Sequence, residues 1–214
     1  MMADGGSASR GTATGRTEQI DISSAGEVKT PTGEPIKNVR EAIYLRGLIS
    51  CDGKAGNELS RRLGECSHIF NSLQKLWSHT SVGKRRKLYV YSSCVISKLL
   101  YSLDTLWLLK ADKRRLDSFH CKCVRKILGI RHSYVSRVSN AEVLTQAGER
   151  PLSDLLLDRQ VKMYGKIAIS GSHSLVRKVV CQADGTPKNW AAHRRRGRPR
   201  QQWAQEVYKL TQSP

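Results

Sequence analysis

The chain has 214 residues and is strongly basic, with 37 Lys and Arg against 18 Asp and Glu and a formal net charge of +19. Its 39% of hydrophobic residues is too high for wholesale disorder but low for a chain packed throughout, so we expect a core over only part of it. Secretion and membrane insertion are not expected, because residues 1–16 lack an apolar signal core and the most apolar window, 90–109, contains Lys98 and Asp104.

The positive charge is concentrated after residue 50. Residues 1–50 hold six basic and six acidic side chains, residues 51–183 hold 24 and 10, and residues 184–214 hold seven and two. Such a distribution favours a polyanionic partner, RNA or DNA, although a basic protein with solvated faces is the plainer alternative.

The six cysteines form no C-x-x-C pair, which fits reduced thiols in the nucleus or the cytoplasm. His120, Cys121 and Cys123 are close in sequence, but neighbours one and two apart on a helix point in different directions. We therefore predict no metal site and no other cofactor.

Little regular structure is expected before residue 53. Residues 1–26 are rich in Gly, Ser and Thr, which indicates a disordered leader. Residues 27–52 predict short strands that form a hairpin, with turn signals at residues 30–34 and 50–53.

Two long helices are predicted next. The first runs from about Asn57, as its cap, to His79, because its apolar residues alternate at spacings of three and four. The second covers about residues 82–103 and places these residues inside: Leu88, Val95, Leu99 and Leu103. Its first turns contain four cations, Lys84, Arg85, Arg86 and Lys87. Positive charge there opposes the helix macrodipole, which indicates a phosphate contact or, equally, a solvated turn.

A third helix is predicted from about Asp112 to Leu128, with Gly129 as its stop. One arc of this helix is apolar and comprises Leu116, Phe119, Cys123, Val124, Ile127 and Leu128. The opposite arc is basic and comprises Arg114, Arg115, Lys122, Arg125 and Lys126. The pattern predicts one face for a core and one for water or for phosphates.

Further short elements come after the third helix. Ser139 and Glu142 form a capping box that opens a helix ending at Gly148, and another helix begins near Ser153. Residues 184–200 are predicted to be irregular, and a short amphipathic stretch around Trp203 comes next. The expected fold class is mainly α: a short N-terminal β-hairpin, a bundle of about four to six helices, a disordered leader and a basic irregular C-terminal segment.

The motifs of common enzymes are missing from the sequence. It contains no hydrolase elbow, P-loop, dinucleotide loop or H-E-x-x-H helix, and no two aspartates are adjacent. We therefore predict no catalytic residues. The C-terminal segment does contain five arginines, Arg194, Arg195, Arg196, Arg198 and Arg200. The segment from Arg196 to Arg200 is similar to an AT-hook, in which slim Gly and Pro backbone lets arginines enter the minor groove.

Six fragments in order resemble the region after the polymerase active site of LINE-type (non-LTR) retrotransposon reverse transcriptases. They are Tyr44-Leu45-Arg46-Gly47-Leu48-Ile49, Leu99-Leu100-Tyr101 with Trp107, Leu116 through Phe119 to Val124-Arg125-Lys126-Ile127-Leu128-Gly129-Ile130, Val138-Ser139-Asn140-Ala141-Glu142-Val143-Leu144, Tyr164-Gly165-Lys166-Ile167, and Arg196-Gly197-Arg198-Pro199 with Trp203. The chain departs from the family pattern at a few positions. Arg46 and Ser102 stand where Gly is usual, Asp104 or a neighbour replaces Glu, and Lys166 replaces His, as in a decayed or domesticated copy.

The resemblance implies a division of the chain: a leader (1–26), a hairpin left from the palm (27–52), a thumb-like helical region (53–130), a downstream helical region (131–183) and a basic tail (184–214). It also implies that the catalytic aspartates belong upstream of Tyr44. A protein partner could cover the apolar surface that the missing palm would leave.

Three functions remain open. The first is a non-catalytic, weakly sequence-specific nucleic-acid-binding remnant. It would contact phosphates through Lys84 to Lys87, through the tail arginines, and through Arg115, Lys122, Arg125 and Lys126. The second is an AT-hook-like DNA-binding protein whose helices form an interaction scaffold. The third is a retroelement relic without a selected function.

Overall fold

The computed structural model describes residues 31–35, 39–79, 81–189 and 201–212. The chain divides into two units, residues 1–40 and residues 41–214. In the first unit, residues 31–33 form a turn in which Gly33 has a φ of +87°, as the Pro-Gly signal predicts. The leader predicted at 1–26 lies outside the described residues. All the helices and strands described below belong to the second unit.

The second unit is mainly helical and begins with one two-stranded hairpin, as predicted. The strands are β1 (Glu41–Tyr44) and β2 (Gly47–Ser50). The helices are α1 (Ala55–Ser78), α2 (Lys84–Tyr91), α3 (Ser97–Leu100), α4 (Lys110–Leu128), α5 (Ser133–Ser136), α6 (Asn140–Ala147), α7 (Leu152–Ile169), α8 (Leu175–Val180) and α9 (Trp203–Thr211). A π-helical segment, Ser92–Ile96, joins α2 to α3, and a 3-10 turn, Leu103–Thr105, comes after α3.

The described helices outnumber the four to six expected, because short helices such as α5 and α8 carry too little apolar periodicity to be recognised. The helix predicted over 82–103 ends as α3 at Leu100, since Ser102 adopts a left-handed conformation with a φ of +59°. Within the described residues, no helix combines the length and the apolar character that crossing a bilayer demands.

The described hairpin turns at neither of the two turn signals of the sequence, residues 30–34 and 50–53. The strands are antiparallel and pair Tyr44 with Gly47, so Leu45 and Arg46 form a two-residue turn with φ of +47° and +65°. Two positive φ values match the twist of a tight hairpin, and Asn-Gly is the sequence that favours them. Leu-Arg is not such a sequence, so the position of this turn was not predicted.

A buried ion pair holds the hairpin on α1. The Glu58 carboxylate accepts a hydrogen bond from the Leu48 N–H at 3.1 Å and pairs with the Arg62 guanidinium. Arg62 also donates to the carbonyl of Arg46 at 3.1 Å and to that of Lys98 at 3.0 Å. One arginine thus ties the hairpin turn, α1 and α3 together.

The predicted start of α1 is wrong. The helix begins at Ala55, two residues before Asn57, and its cap position is Lys54. The Asn57 amide instead donates to the Glu41 carboxylate of β1 at 2.8 Å. Asn57 therefore holds β1 and does not cap α1.

Apolar side chains of α1, α2, the π-helical segment, α3, α4, α6 and α7 form the main core, which includes the apolar faces predicted for α1 and α4. Its fully buried members include Leu59, Cys66, Tyr91, Val95, Leu99, Leu103, Leu116, Val124, Val143, Leu152 and Leu156. A second, smaller cluster joins α7 to α9 around Tyr164, Cys181 and Val207, with Trp107 and Trp203 packed against it.

The main core contains a buried histidine. The Nδ1 atom of His120 lies 3.0 Å from the Tyr91 hydroxyl, and the two rings stack with centroids 5.8 Å apart. Burial lowers the pKa of His120 to about 4, because the charged imidazolium would lose its hydration. The ring is therefore neutral at pH 7 and packs as part of the core.

Candidate nucleic-acid interface

The predicted basic start of α2 is present in the structure. Lys84, Arg85 and Arg86 are exposed in the first turn, which contains no acidic residue. Lys87 is half-buried, and its Nζ lies 5.8 Å from the centroid of the Trp77 ring at the end of α1. We call these four residues the basic turn.

The basic arc predicted on α4 divides into three environments. Lys122 and Lys126 are exposed, and Lys126 Nζ lies 3.1 Å from Gln74 Oε1 and 5.9 Å from the centroid of the Phe70 ring. Arg115 is exposed but engaged, since its guanidinium donates to Ser60 at 2.9 Å and pairs with Asp112 at 3.3 Å. Arg114 is exposed as predicted.

The prediction that Arg125 lies on the solvent face is wrong, because its side chain is buried beneath the segment between α4 and α6. Its guanidinium donates to the carbonyl of Val138 at 2.7 Å, to that of Arg131 at 3.3 Å and to Asn140 Oδ1 at 2.9 Å. Only 7% of its surface is exposed. Helical periodicity places it beside Lys122, but the loop that packs over that part of α4 covers it.

A groove of about 560 Å³ lies where the C-terminal half of α4 meets α5 and α6, and we call it the basic groove. Its lining residues are Ser118, Cys121, Lys122, Arg125, Lys126, Ile130, His132, Ser133 and Asn140. No Asp or Glu of the described chain is among them. Lys122 and Lys126 form no ion pair with any described carboxylate, so their charge is directed at solvent.

Aromatic rings connect the basic turn to the basic groove. Lys87 lies over Trp77, whose ring packs edge-on against Phe70 with centroids 6.1 Å apart, and Lys126 lies over Phe70. The distances from Lys87 Nζ to the Trp77 ring, from that ring to Phe70, and from Phe70 to Lys126 Nζ are 5.8, 6.1 and 5.9 Å, so the two ammonium groups are at most about 18 Å apart. In one strand of B-DNA, roughly five nucleotides span that length. Two patches separated by 39 residues in sequence therefore lie within reach of one nucleic-acid strand.

Several residues of this surface were not predicted from the sequence. His132 and Ser133 line the basic groove, and Tyr134, the next residue, is 78% exposed. The guanidinium of Arg137 lies 5.7 Å from the centroid of the Tyr134 ring. The sequence signal is one tyrosine between Arg131 and Arg137, which is too little to stand out beside the longer basic runs.

The predicted tail cations Arg194, Arg195, Arg196, Arg198 and Arg200 lie outside the described residues. The chain is described again from Gln201, whose Oε1 accepts a hydrogen bond from the Trp107 indole at 3.1 Å. Directly after these arginines, the chain is therefore anchored at Gln201 beside α7 and α9.

The candidate interface consists of the basic turn, the basic groove and the aromatic rings between them. No protein-family model, curated protein or solved structure matches the chain.

Proposed function

We propose that this chain binds RNA or DNA through backbone phosphates, with low sequence specificity and without catalysing a reaction. The observation that carries the proposal is the basic groove, where Lys122 and Lys126 are exposed and no described carboxylate lines the wall. Lysine ammonium groups contact phosphates as point charges and do not select bases, so binding of this kind is weakly specific.

The proposal includes an origin as a remnant of a LINE-type reverse transcriptase, and the backbone supports that resemblance. Arg46 and Ser102 stand where the family pattern has Gly, and both have positive φ, +65° and +59°. Glycine is the residue that adopts such a conformation without steric cost. At both positions the backbone therefore suits the glycine that stands in the family pattern.

Side-chain contacts between the resembling fragments give further support. The guanidinium of Arg125, in the third fragment, donates to Asn140 in the fourth at 2.9 Å. Trp107, Tyr164 and Trp203, from three different fragments, meet in the smaller apolar cluster. Residues that form one physical network are expected to recur together in related chains.

A reverse transcriptase remnant of this kind would be thumb-like over 53–130 and would lie in the nucleus or the cytoplasm. The hairpin exposes apolar side chains, with Ile43, Tyr44 and Leu45 each 65–70% exposed. This surface supports the expectation that a protein partner binds at the hairpin, apart from the surface proposed for nucleic acid.

The test is a titration of the intact chain with fluorescent RNA and DNA at several salt concentrations. Each neutralised phosphate contributes about 0.9 to the slope of log K against log salt for B-DNA and about 0.7 for a single strand. The double variant Lys122→Gln/Lys126→Gln should therefore lower the steepness of that slope by about 1.4 to 1.8.

A matched control removes the same charge from another helix. Lys162 and Lys166 are also exposed and four residues apart, on α7, and they do not line the basic groove. Lys162→Gln/Lys166→Gln should leave the slope nearly unchanged. Equal effects of the two double variants, or affinity that does not respond to salt, would contradict the proposal.

Competition between duplexes isolates the contribution of the tail. The segment from Arg196 to Arg200 should favour A·T-rich over G·C-rich DNA only if it acts as an AT-hook. Equal affinity for the two duplexes would assign phosphate contacts alone to these arginines.

A further inference from the structure

An exposed tyrosine lies at the edge of the basic groove. Tyr134 directly follows two residues of the groove lining, His132 and Ser133, and 78% of its surface is in contact with solvent. A tyrosine ring usually buries most of its apolar area, so a ring left open beside a cationic groove is a candidate for contact with a ligand.

Local contacts hold this ring in place. The carbonyl of His132 accepts hydrogen bonds from the N–H groups of Val135 and Ser136, both at 2.9 Å, and closes the single turn of α5. The turn ends at Arg137, whose left-handed conformation brings its guanidinium to 5.7 Å from the centroid of the Tyr134 ring. The ring is therefore presented on a short fixed turn instead of a free loop.

The combination of a cationic groove and an open aromatic ring matches the chemistry of a single strand. Bases of a single strand can leave their neighbours and stack on an aromatic side chain, whereas bases of a duplex are already paired and stacked. Phosphates of the same strand would meet Lys122 and Lys126, and the hydroxyls of Ser118 and Ser133 offer further donors.

We propose that the basic groove binds single-stranded nucleic acid, with one base stacked on Tyr134 and phosphates of the same strand held by Lys122 and Lys126. This inference rests on the proposed function, since it names the form of nucleic acid that the same groove prefers. It adds a requirement for the ring of Tyr134 that phosphate contacts alone do not impose.

The experiment measures the affinity of the intact chain for a fluorescent oligonucleotide, both as a single strand and as the duplex with its complement, at one salt concentration. Stacking of one base is worth about 5- to 150-fold in affinity, so Tyr134→Ala should weaken single-strand binding by that factor and leave duplex binding within about twofold. Tyr134→Phe retains the ring and should bind the single strand like the wild type.

Tyr44 supplies the matched control, because it is also exposed, at 65%, but belongs to the hairpin. Tyr44→Ala should not change binding of the single strand. Thermal unfolding of each variant shows whether it is folded, and little change is expected because both rings are largely in solvent.

The outcomes separate this inference from the proposed function. An unchanged affinity of Tyr134→Ala, or an equal loss for single strand and duplex, would overturn the stacking inference. Lys122→Gln/Lys126→Gln would still weaken both forms if the groove binds phosphates. If neither the tyrosine nor the lysine variants alter binding, both proposals are wrong.

Discussion

Replacing Arg46 by Gly should stabilise the protein. Arg46 has a φ of +65° in the hairpin turn, and its side chain is exposed. Its carbonyl accepts hydrogen bonds from Arg61 at 2.7 Å and from Arg62 at 3.1 Å, and glycine keeps that carbonyl. The substitution therefore removes backbone strain without removing a hydrogen bond.

The magnitude of this gain is set by two opposing effects. A left-handed conformation costs a residue with a Cβ about 1–2 kcal/mol, which the substitution recovers. Glycine also makes the unfolded chain more flexible, which offsets about 0.4–1 kcal/mol. The net gain in the free energy of unfolding is about 0.5–1 kcal/mol, which raises the melting temperature of a chain of this size by about 1–4 °C.

Urea and thermal unfolding followed by circular dichroism measure the effect. Arg114→Gly is the matched control, because Arg114 is exposed within α4 and the change removes the same charge from right-handed helical backbone. That variant should lose about 1 kcal/mol. If Arg46→Gly is destabilised as much as Arg114→Gly, the turn is not left-handed in solution and the reasoning fails. Ser102→Gly, at a φ of +59°, should stabilise in the same direction.

Three further substitutions test how the fold is held together. Arg125→Ala should lower the free energy of unfolding by roughly 2–4 kcal/mol, because it leaves the Val138 carbonyl and Asn140 without their donor. The control Lys122→Ala should change it by less than about 0.5 kcal/mol. If the two variants have similar urea midpoints, Arg125 is not buried in solution. His120 has a folded pKa of about 4, below the ordinary 6.5, so the unfolded chain binds the proton more readily. The contribution of His120 to the free energy of unfolding should therefore be fully present above pH 6.5 and fall by roughly 2 kcal/mol by pH 5. In urea unfolding, His120→Gln should show a flatter pH dependence than the wild type. Equal pH dependence would mean that the imidazole is solvated. Ser139→Ala should cost about 1 kcal/mol in the same urea assay, since it removes the capping box with Glu142; an unchanged midpoint would mean that the box does not form.

The sequence by itself determined the helical class and much of α4. The apolar residues of that helix recur with helical periodicity, and the residues predicted to face the core are buried or half-buried in the structure. Its stop at Gly129 and the capping box at Ser139 were also predictable, because both depend on residues a few positions apart. Interactions within one or two helical turns leave a local pattern that can be read without knowing the fold.

Part of the candidate site was predictable in the same way. The basic turn at the start of α2 and the exposed positions of Lys122 and Lys126 agree with composition and helical spacing. Helical spacing cannot show what packs over a helix face, and for that reason it placed Arg125 in solvent although a loop covers it. The charge of a residue is written in the sequence, but its exposure depends on distant parts of the chain.

Only the tertiary structure decided where the hairpin turns and which cations share a surface. The turn at Leu45 and Arg46 is imposed by the pairing of the strands and by Arg62, which binds the carbonyl of Arg46 from α1. Likewise, Lys87 and Lys126 lie near each other only because Trp77 and Phe70 pack between them. Contacts between residues far apart in sequence leave no local periodicity, so the fold alone brings these groups together.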